Sequence, residues 1–322
     1  MKGNVIIKDL EKNYTIFAEK VNYNKDKEII KTENNSKLVL GDHGNISANT
    51  FEYQRIDDVI IAQDKVKITN KLKDYEVLAD EINYFRGIDK IISQGKTTVI
   101  FQSKFIFNSE DIDFSIKDNL LSSNKKTIIR DSNSQAYFVE KFKYNINNKI
   151  LKGKNILLVS NYNLPKSDKF FFADAIIDIE NRKFNAKDIK LSLHKDIFDN
   201  SENDPRLKGV SSSGKPNYTE INKGIFTSCK ERDGCPPWSI QAEKIKHDKI
   251  KKQLVYDNAI LKIYDFPVLY FPKFFHPDPT VKRQSGFLQP TINNSNILGN
   301  SFSIPYYHVI SNNNDYTFSP TI

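Results

Sequence analysis

Apolar and polar residues alternate with a period of two in several short segments of the chain. The segments Ile189-Lys190-Leu191-Ser192-Leu193 and Ala259-Ile260-Leu261-Lys262-Ile263 show this alternation. It is typical of a β-strand with one buried face. The spacing of three and four residues that marks an amphipathic helix is not sustained over three turns in the sequence. The pattern therefore predicts an all-β protein with few helices.

A six-residue motif recurs at intervals of about 30 residues. Its first residue is mostly small, its second mostly acidic and its fourth always apolar, and its sixth is aromatic in the first five copies. The copies occupy residues 18–23, 48–53, 79–84, 109–114, 139–144, 173–178 and 242–247. Each unit supplies two short strands and cannot bury its apolar face alone. The repeat therefore predicts stacked units that form a solenoid-like body with a continuous apolar interior.

The C-terminal third departs from the repeat. Residues 1–265 form the predicted repeat domain, in which the polar, turn-rich stretch at about 195–224 is interpreted as an insertion loop. Residues 266–285 are rich in proline, which excludes a helix or a central strand, so we predict a joint there. Residues 286–322 contain two β-like runs on either side of a polar turn.

Composition and charge add little to this picture. The net charge is +8, from 48 Lys and Arg against 40 Asp and Glu, but the basic residues are spread along the chain. This favours a lysine-rich solvated surface over a nucleic-acid partner. The five histidines are scattered, and the recurring carboxylates at the second motif position are interpreted as rim or turn residues. We therefore predict no enzymatic activity, no cofactor and no metal site.

Three features together resemble the LptD family of lipopolysaccharide-assembly outer-membrane proteins. They are the two-strand repeats, the segment from Thr227 through Trp238 to Ile240, and the segment from Phe266 to Ser285-Gly286-Phe287-Leu288-Gln289-Pro290. The repeats alone are also similar to LptA and LptC. The resemblance implies an OstA-like open β-jellyroll in the periplasm, followed by the first strands of an outer-membrane β-barrel. Because a barrel needs at least about eight strands, we expect this sequence to be a fragment.

The apolar fourth position of the motif has two interpretations. It is occupied by Val21, Phe51, Ile82, Ile112, Phe142, Ile176 and Ile245. These residues either form an ordinary core or line a slot for acyl chains. The resemblance implies the slot, with lipopolysaccharide as cargo. It also implies an LptA-like periplasmic bridge protein, an LptE-like lipoprotein plug and the outer membrane as partners.

Two prolines and two cysteines complete the set of candidate residues. Pro290 and Pro305 are expected to lie in the first two barrel strands, where matching prolines occur in the family. Since proline lacks a ladder donor, they would weaken a barrel seam and form a lateral gate. Ordinary edge-strand prolines are the alternative. Cys229 matches a family cysteine that pairs with the far end of the barrel. A local bond to Cys235 is also sterically possible, and both pairings stay open.

The function predicted from the sequence is lipopolysaccharide transport and outer-membrane assembly. The first alternative is a soluble, LptA-like periplasmic bridge protein, which the segments after Trp238 disfavour. The second, from another class, is a secreted β-solenoid carbohydrate-active enzyme. Such an enzyme would need Asp, Glu and Arg clustered on one face, which the repeat does not supply.

Overall fold

The computed structural model describes residues 2–9, 13–41, 44–72, 74–194, 204–231, 236–277, 281, 283–288, 290–295, 299–311 and 313–322. In these ranges the regular secondary structure is made of β-strands and a 3-10 helix at Arg86–Ile88, which turns and short irregular segments connect. The predicted all-β fold is confirmed. Among the described residues, no helix has both the length and the apolar character required to cross a membrane.

Most of the strands belong to one antiparallel sheet of 23 strands. The first part of this sheet contains β1 (Lys2–Asp9), β2 (Tyr14–Asn24), β3 (Ile29–Glu33), β4 (Ser36–Val39), β5 (Asn45–Ala48), β6 (Thr50–Gln54), β7 (Val59–Asn70), β8 (Tyr75–Phe85), β9 (Lys90–Phe101), β10 (Phe105–Glu110), β11 (Asp113–Ser115) and β12 (Leu120–Ser123). The second part contains β13 (Thr127–Asp131), β14 (Ala136–Val139), β15 (Lys141–Asn145), β16 (Ile150–Val159), β17 (Lys169–Asp178), β18 (Lys183–Ser192), β19 (Arg206–Lys215), β20 (Tyr218–Thr227), β21 (Trp238–Asp248), β22 (Gln253–Ile263) and β23 (Phe266–Pro277).

Strands pair with their neighbours in chain order, and several long strands are interrupted at the middle. For example, β3 and β4 both pair with β2, and β5 and β6 both pair with β7, so each pair of short strands acts as one interrupted strand. Residues with a left-handed backbone recur at these mid-strand positions, at Asp64, Gly95, Asn155, Asp188 and Asn258. Asn, Asp and Gly accept this conformation most readily, so the sequence places a bend in the middle of these strands.

The acidic second position of the repeat lies at these bends. The Asn155 side-chain amide donates to Glu140 Oε2 at 2.6 Å, and the Asn258 amide donates to Glu243 Oε2 at 2.7 Å. Both carboxylates are exposed on the outside of the sheet. They therefore tie one bend to the next, as expected of turn residues.

The bends fold the sheet into two layers that face each other. Tyr14 and Tyr23 lie near opposite ends of β2, and Tyr53 is in register with Tyr23 through Ile30. In a flat sheet, nine residues at about 3.3 Å each would separate Tyr14 from Tyr53 by about 30 Å. Their ring centroids are 5.7 Å apart. The two ends of each strand are therefore brought together, with the apolar interior between the layers.

The strand ends alternate between two rims of this folded sheet. We call the rim that carries Tyr14, Asn70, Tyr75, Phe101 and Phe105 the first rim, and the rim that carries Asn24, Gln54, Val59, Phe85 and Lys90 the second rim. The line along which the rims meet is called the mouth. One hydrophobic cluster fills the space from the bends to the mouth and extends from Tyr14 to Ala259.

The prediction of an insertion loop at about 195–224 is wrong for most of these residues, which form strands. Residues 206–215 and 218–227 form β19 and β20, which pair with β18 and β21 in regular register. The alternation of apolar and polar residues is hidden in β19 because small residues occupy its interior positions. Bulky side chains from neighbouring strands fill the space beside them. A Cβ on Gly209 would lie 2.3 Å from Ile221 Cγ2, and one on Gly214 would lie 2.0 Å from the Phe184 ring. Residues 195–203 lie outside the described residues.

The predicted joint also begins with a strand. Residues 266–277 form β23, which pairs with β22 from Ile263↔Phe266 to Gln253↔Pro277. Within the described residues β23 pairs on one side only, so its prolines occupy an edge strand, where a missing donor is tolerated. The regular sheet therefore ends at Pro277 instead of residue 265.

The described residues between 286 and 322 form separate small sheets. Strand β24 (Gly286–Phe287) pairs with β27 (Tyr306–Val309), which pairs with β28 (Asp315–Phe318), while β25 (Thr291–Ser295) pairs with β26 (Gly299–Ser303). Pro290 and Pro305 lie between these strands and not inside them, which corrects the predicted placement. Leu288 N donates to Pro305 O at 2.8 Å, so the strands form one hairpin that is interrupted at the prolines.

Candidate functional site: the apolar interior and its mouth

Six of the seven predicted slot residues lie in the interior. Val21, Phe51, Ile82, Ile112, Phe142 and Ile245 are each at most 6% exposed. All except Val21 belong to the continuous hydrophobic cluster. The fourth motif position therefore points between the two layers along the sheet, as the pattern predicted.

The placement of Ile176 in this row is wrong. Ile176 is 47% exposed, and it pairs with the exposed Lys152 and Asn185 on the outer face. Its neighbours Ala175 and Ile177 are buried instead, each at 5% exposure. Since side chains alternate between faces, an offset of one residue in the motif moves every side chain to the opposite face. The sixth copy is shifted by this amount.

Aromatic side chains from the two rims meet across the mouth. Tyr75 of the first rim contacts Phe114 of the second rim edge to face, with ring centroids 5.5 Å apart. Phe101 and Phe107 of the first rim lie 5.6 Å and 5.0 Å from the ring of Tyr144, which belongs to the second rim. These contacts close the interior to water over β8–β15.

A cation reinforces the mouth at its N-terminal end. The Arg86 guanidinium, at the second rim, lies 4.4 Å from the ring centroid of Tyr14 at the first rim. Arg86 Nη1 also donates to the Tyr53 hydroxyl at 3.1 Å and contacts Asp58 Oδ1 at 3.4 Å. Tyr53 Oη donates to the same Asp58 oxygen at 2.8 Å. We call Tyr14, Tyr53, Asp58 and Arg86 the latch. Burial raises the pKa of both tyrosines, which keeps their hydroxyls protonated.

The interior is less tightly covered toward the C-terminal end. The partly buried apolar residues packed against the cluster concentrate there, namely Leu158, Phe170, Phe184, Leu191, Trp238, Ile240, Leu254, Phe271 and Phe274. Phe226 of the first rim still meets His276 of the second rim, with ring centroids 6.0 Å apart. His276 Nε2 lies 2.9 Å from the Tyr256 hydroxyl. This end therefore offers apolar surface that is partly accessible.

Two buried hydroxyl groups in the interior lack a hydrogen-bond partner within the described residues. They are Tyr144 Oη, where the mouth closes, and Ser212 Oγ, in the small-residue strand β19. A buried hydroxyl without a partner costs stability. The sequence pattern does not indicate that either hydroxyl lacks a hydrogen-bond partner. The aromatic sixth position of the motif did single out Tyr53, Phe114 and Tyr144 as a recurring set.

Of the two predicted cysteines, the structure describes Cys229. Cys229 is half-buried and is a free cysteine among the residues described, with its Sγ 3.9 Å from Trp238 O. Cys235 lies outside the described residues. The two pairings proposed for Cys229 stay predictions.

The comparisons with curated proteins return sequences named "LPS-assembly protein LptD". A relative from Polaromonas sp. is 31% identical over 154 residues, and one from Hahella chejuensis is 39% identical over 110 residues. A third, from Shewanella sp., is 29% identical over 191 residues. The chain is similar to LptD proteins.

These matches confirm the resemblance to LptD that the sequence suggested. They cover 44%, 34% and 52% of this chain but only 18%, 13% and 25% of the respective LptD sequences. The chain thus spans a quarter or less of the length of these relatives. No family model matches the chain.

A solved structure of LptH from Pseudomonas aeruginosa also aligns with the chain. It is described as the LptA-homologous periplasmic component of the lipopolysaccharide transport device. The alignment covers 45% of this chain and 83% of LptH, at 11% identity and a TM-score of 0.28.

Proposed function

We propose that this chain carries lipopolysaccharide, as the periplasmic part of an LptD-like outer-membrane assembly protein. The single observation that supports this most is the continuous apolar interior, which is closed at the mouth by side chains. Backbone hydrogen bonds between neighbouring turns run along a rim, such as Arg86 N to Asp58 O at 3.1 Å and Gln102 N to Asp74 O at 2.8 Å. Across the mouth, the contacts between described residues include aromatic pairs and the Arg86–Tyr14 cation–π contact.

In this mechanism the rims separate to admit acyl chains, while the bends act as the hinge. An acyl chain that enters the interior gains about 0.8 kcal/mol for each buried methylene. An aromatic pair contributes about 0.5–1.5 kcal/mol beyond its buried area. A few methylenes therefore offset each contact that opens, and the saccharide stays in water outside the mouth. No polar recognition of the lipid is needed within the slot.

The direction of transport rests on the resemblance to LptD. The chain would receive lipopolysaccharide from an LptA-like bridge protein in the periplasm and pass it toward the outer membrane. The segment between Pro277 and Gly286 would join this part to a barrel that begins in residues 286–322 and holds an LptE-like plug. The interruption of the hairpin at Pro290 and Pro305 supports a weak seam there, through which the lipid would leave laterally.

The latch provides the experiment that tests this function. The purified chain is incubated with lipopolysaccharide, and the bound lipid is measured over time after gel filtration. Arg86→Met removes the cation that joins the rims while keeping the length of the side chain, so we expect faster loading by several-fold. Arg55→Met changes an exposed arginine on the adjacent turn of the same rim and is expected to load at the unaltered rate.

Two results would contradict the proposal. If the unaltered chain and both variants retain no lipopolysaccharide, the interior is an ordinary core. If all three load at the same rate, lipid does not enter between the rims at the latch.

A further inference from the structure

A basic depression lies on the outer face of the sheet, on the opposite side from the interior. It has a volume of about 710 Å³ and spans β15 to β19 near the bends. Its lining includes Lys141, Lys143, Lys152, Lys154 and Lys187, with one carboxylate, Asp174. The misplaced Ile176 forms part of its floor. We call this surface the basic depression.

Four of the five lysines of the basic depression face each other directly in two pairs. Lys141 is in register with Lys154, and Lys143 is in register with Lys152. Like charges opposite one another destabilise a sheet. Asp174 lies between Lys154 and Lys187 and is the sole carboxylate lining the basic depression. None of the five lysines has an ion pair within the described part of the chain.

The same outer face is neutralised only a few strands away. Lys244 pairs with Glu220 at 3.0 Å, and Lys246 pairs with Asp257 at 2.6 Å. The hydrogen bond from Lys246 lowers the pKa of the Asp257 carboxyl. The five lysines of the basic depression therefore lack the ion pairs found at β20–β22, and they lie over a concave surface.

We propose that the basic depression binds a phosphorylated saccharide. The ammonium groups would hold phosphate oxygens as point charges. Ser211, Ser213 and Asn222, which also line the surface, would bind sugar hydroxyls. An extended acidic peptide fits less well, because β16–β19 are paired on both sides and offer no free backbone edge for strand addition. The site is separate from the interior and does not depend on the function proposed above.

The test is calorimetric titration of the full chain at low ionic strength. The probes are glucose 1,6-bisphosphate, inorganic phosphate, glucose and hexa-aspartate. We expect the bisphosphate to bind at least about tenfold more tightly than the other three, since only it supplies both chemistries. The affinity should fall as salt is added, because screening weakens exposed charge pairs.

Two double variants separate a built site from general attraction to a basic protein. The double variant Lys152→Gln with Lys154→Gln removes one member of each facing pair. It should weaken the affinity for the bisphosphate by about tenfold or more. Lys190→Gln with Lys208→Gln removes another facing lysine pair, outside the basic depression, and should change the affinity less than about twofold. Ser213→Val should weaken the binding of glucose 1,6-bisphosphate but leave the binding of inorganic phosphate unchanged.

Each remaining outcome overturns the proposal. Equal effects of the two lysine variants would show general charge attraction. Tighter binding of hexa-aspartate would assign the surface to an acidic protein segment. Recruitment to phosphatidylglycerol vesicles without binding of the soluble bisphosphate would assign it to a membrane surface. The absence of binding by all probes would leave no ligand site.

Discussion

At the scale of single residues, Tyr144 provides a direct test of how the mouth is packed. Its ring closes the mouth against Phe101 and Phe107, but its buried hydroxyl has no partner among the described residues. Tyr144→Phe keeps the ring and removes the unsatisfied group, so we expect it to raise the free energy of unfolding by about 1 kcal/mol. Urea denaturation measures this change.

The matched control is Tyr53→Phe. The Tyr53 hydroxyl is bonded to Asp58 and Arg86, so its loss should lower the free energy of unfolding by about 0.5–1.5 kcal/mol. If the two substitutions shift stability in the same direction, the assignment of these hydroxyls is wrong.

The residues also show what the sequence could reveal about the site. The period-two pattern predicted the interior positions of Ile82 and Phe142, because alternation fixes which face a side chain occupies. It failed at Ile176, where a motif can be aligned one residue out of phase without losing its apolar character. The latch was not predicted, since it joins residues from three different repeats. Only the folded sheet brings Tyr14, Tyr53 and Arg86 together.

At the scale of elements, the position of β23 makes a prediction about the domain boundary. Tyr256 is fully buried and packs on Phe274 and His276 of β23. A chain of residues 1–265 loses this cover, whereas residues 1–277 keep it. We expect the shorter chain to have a lower urea midpoint, since exposing one large apolar side chain costs about 1.5–3 kcal/mol.

One outcome of this comparison between residues 1–265 and residues 1–277 would contradict the assignment of β23 to the sheet. If residues 1–265 unfold at the same urea midpoint as residues 1–277, β23 belongs to the C-terminal part and the joint begins at residue 266, as the sequence first indicated. The sequence misled here because prolines exclude a central strand but not an edge strand, and position in the sheet is not a local property. The small interior residues of β19 concealed a strand for a similar reason.

At the scale of the whole molecule, the buried tyrosines predict alkaline unfolding. Burial raises the pKa of Tyr75 to about 12, and it raises the pKa of Tyr84, Tyr137, Tyr144 and Tyr256 further. In the unfolded chain these groups ionise near pH 10. Their contribution to stability is therefore complete below about pH 10 and is lost as the pH rises through the folded values.

We expect tyrosine absorbance at 295 nm and loss of the β signal in circular dichroism to change together above about pH 10. Ionisation of all the tyrosines near pH 10 while the β signal persists would show that the interior is open to solvent in the absence of lipid.

The central claim is that lipid acyl chains occupy the space between the two layers. The most direct measurement is site-specific photo-crosslinking to lipopolysaccharide in the full chain. Probes at Ile82 and Phe142 lie in the interior, and a probe at the exposed Lys65 lies outside at a bend. Circular dichroism confirms that each labelled chain is folded. The account predicts lipid adducts at the two interior positions and none at Lys65, whereas equal labelling at all three positions would contradict it.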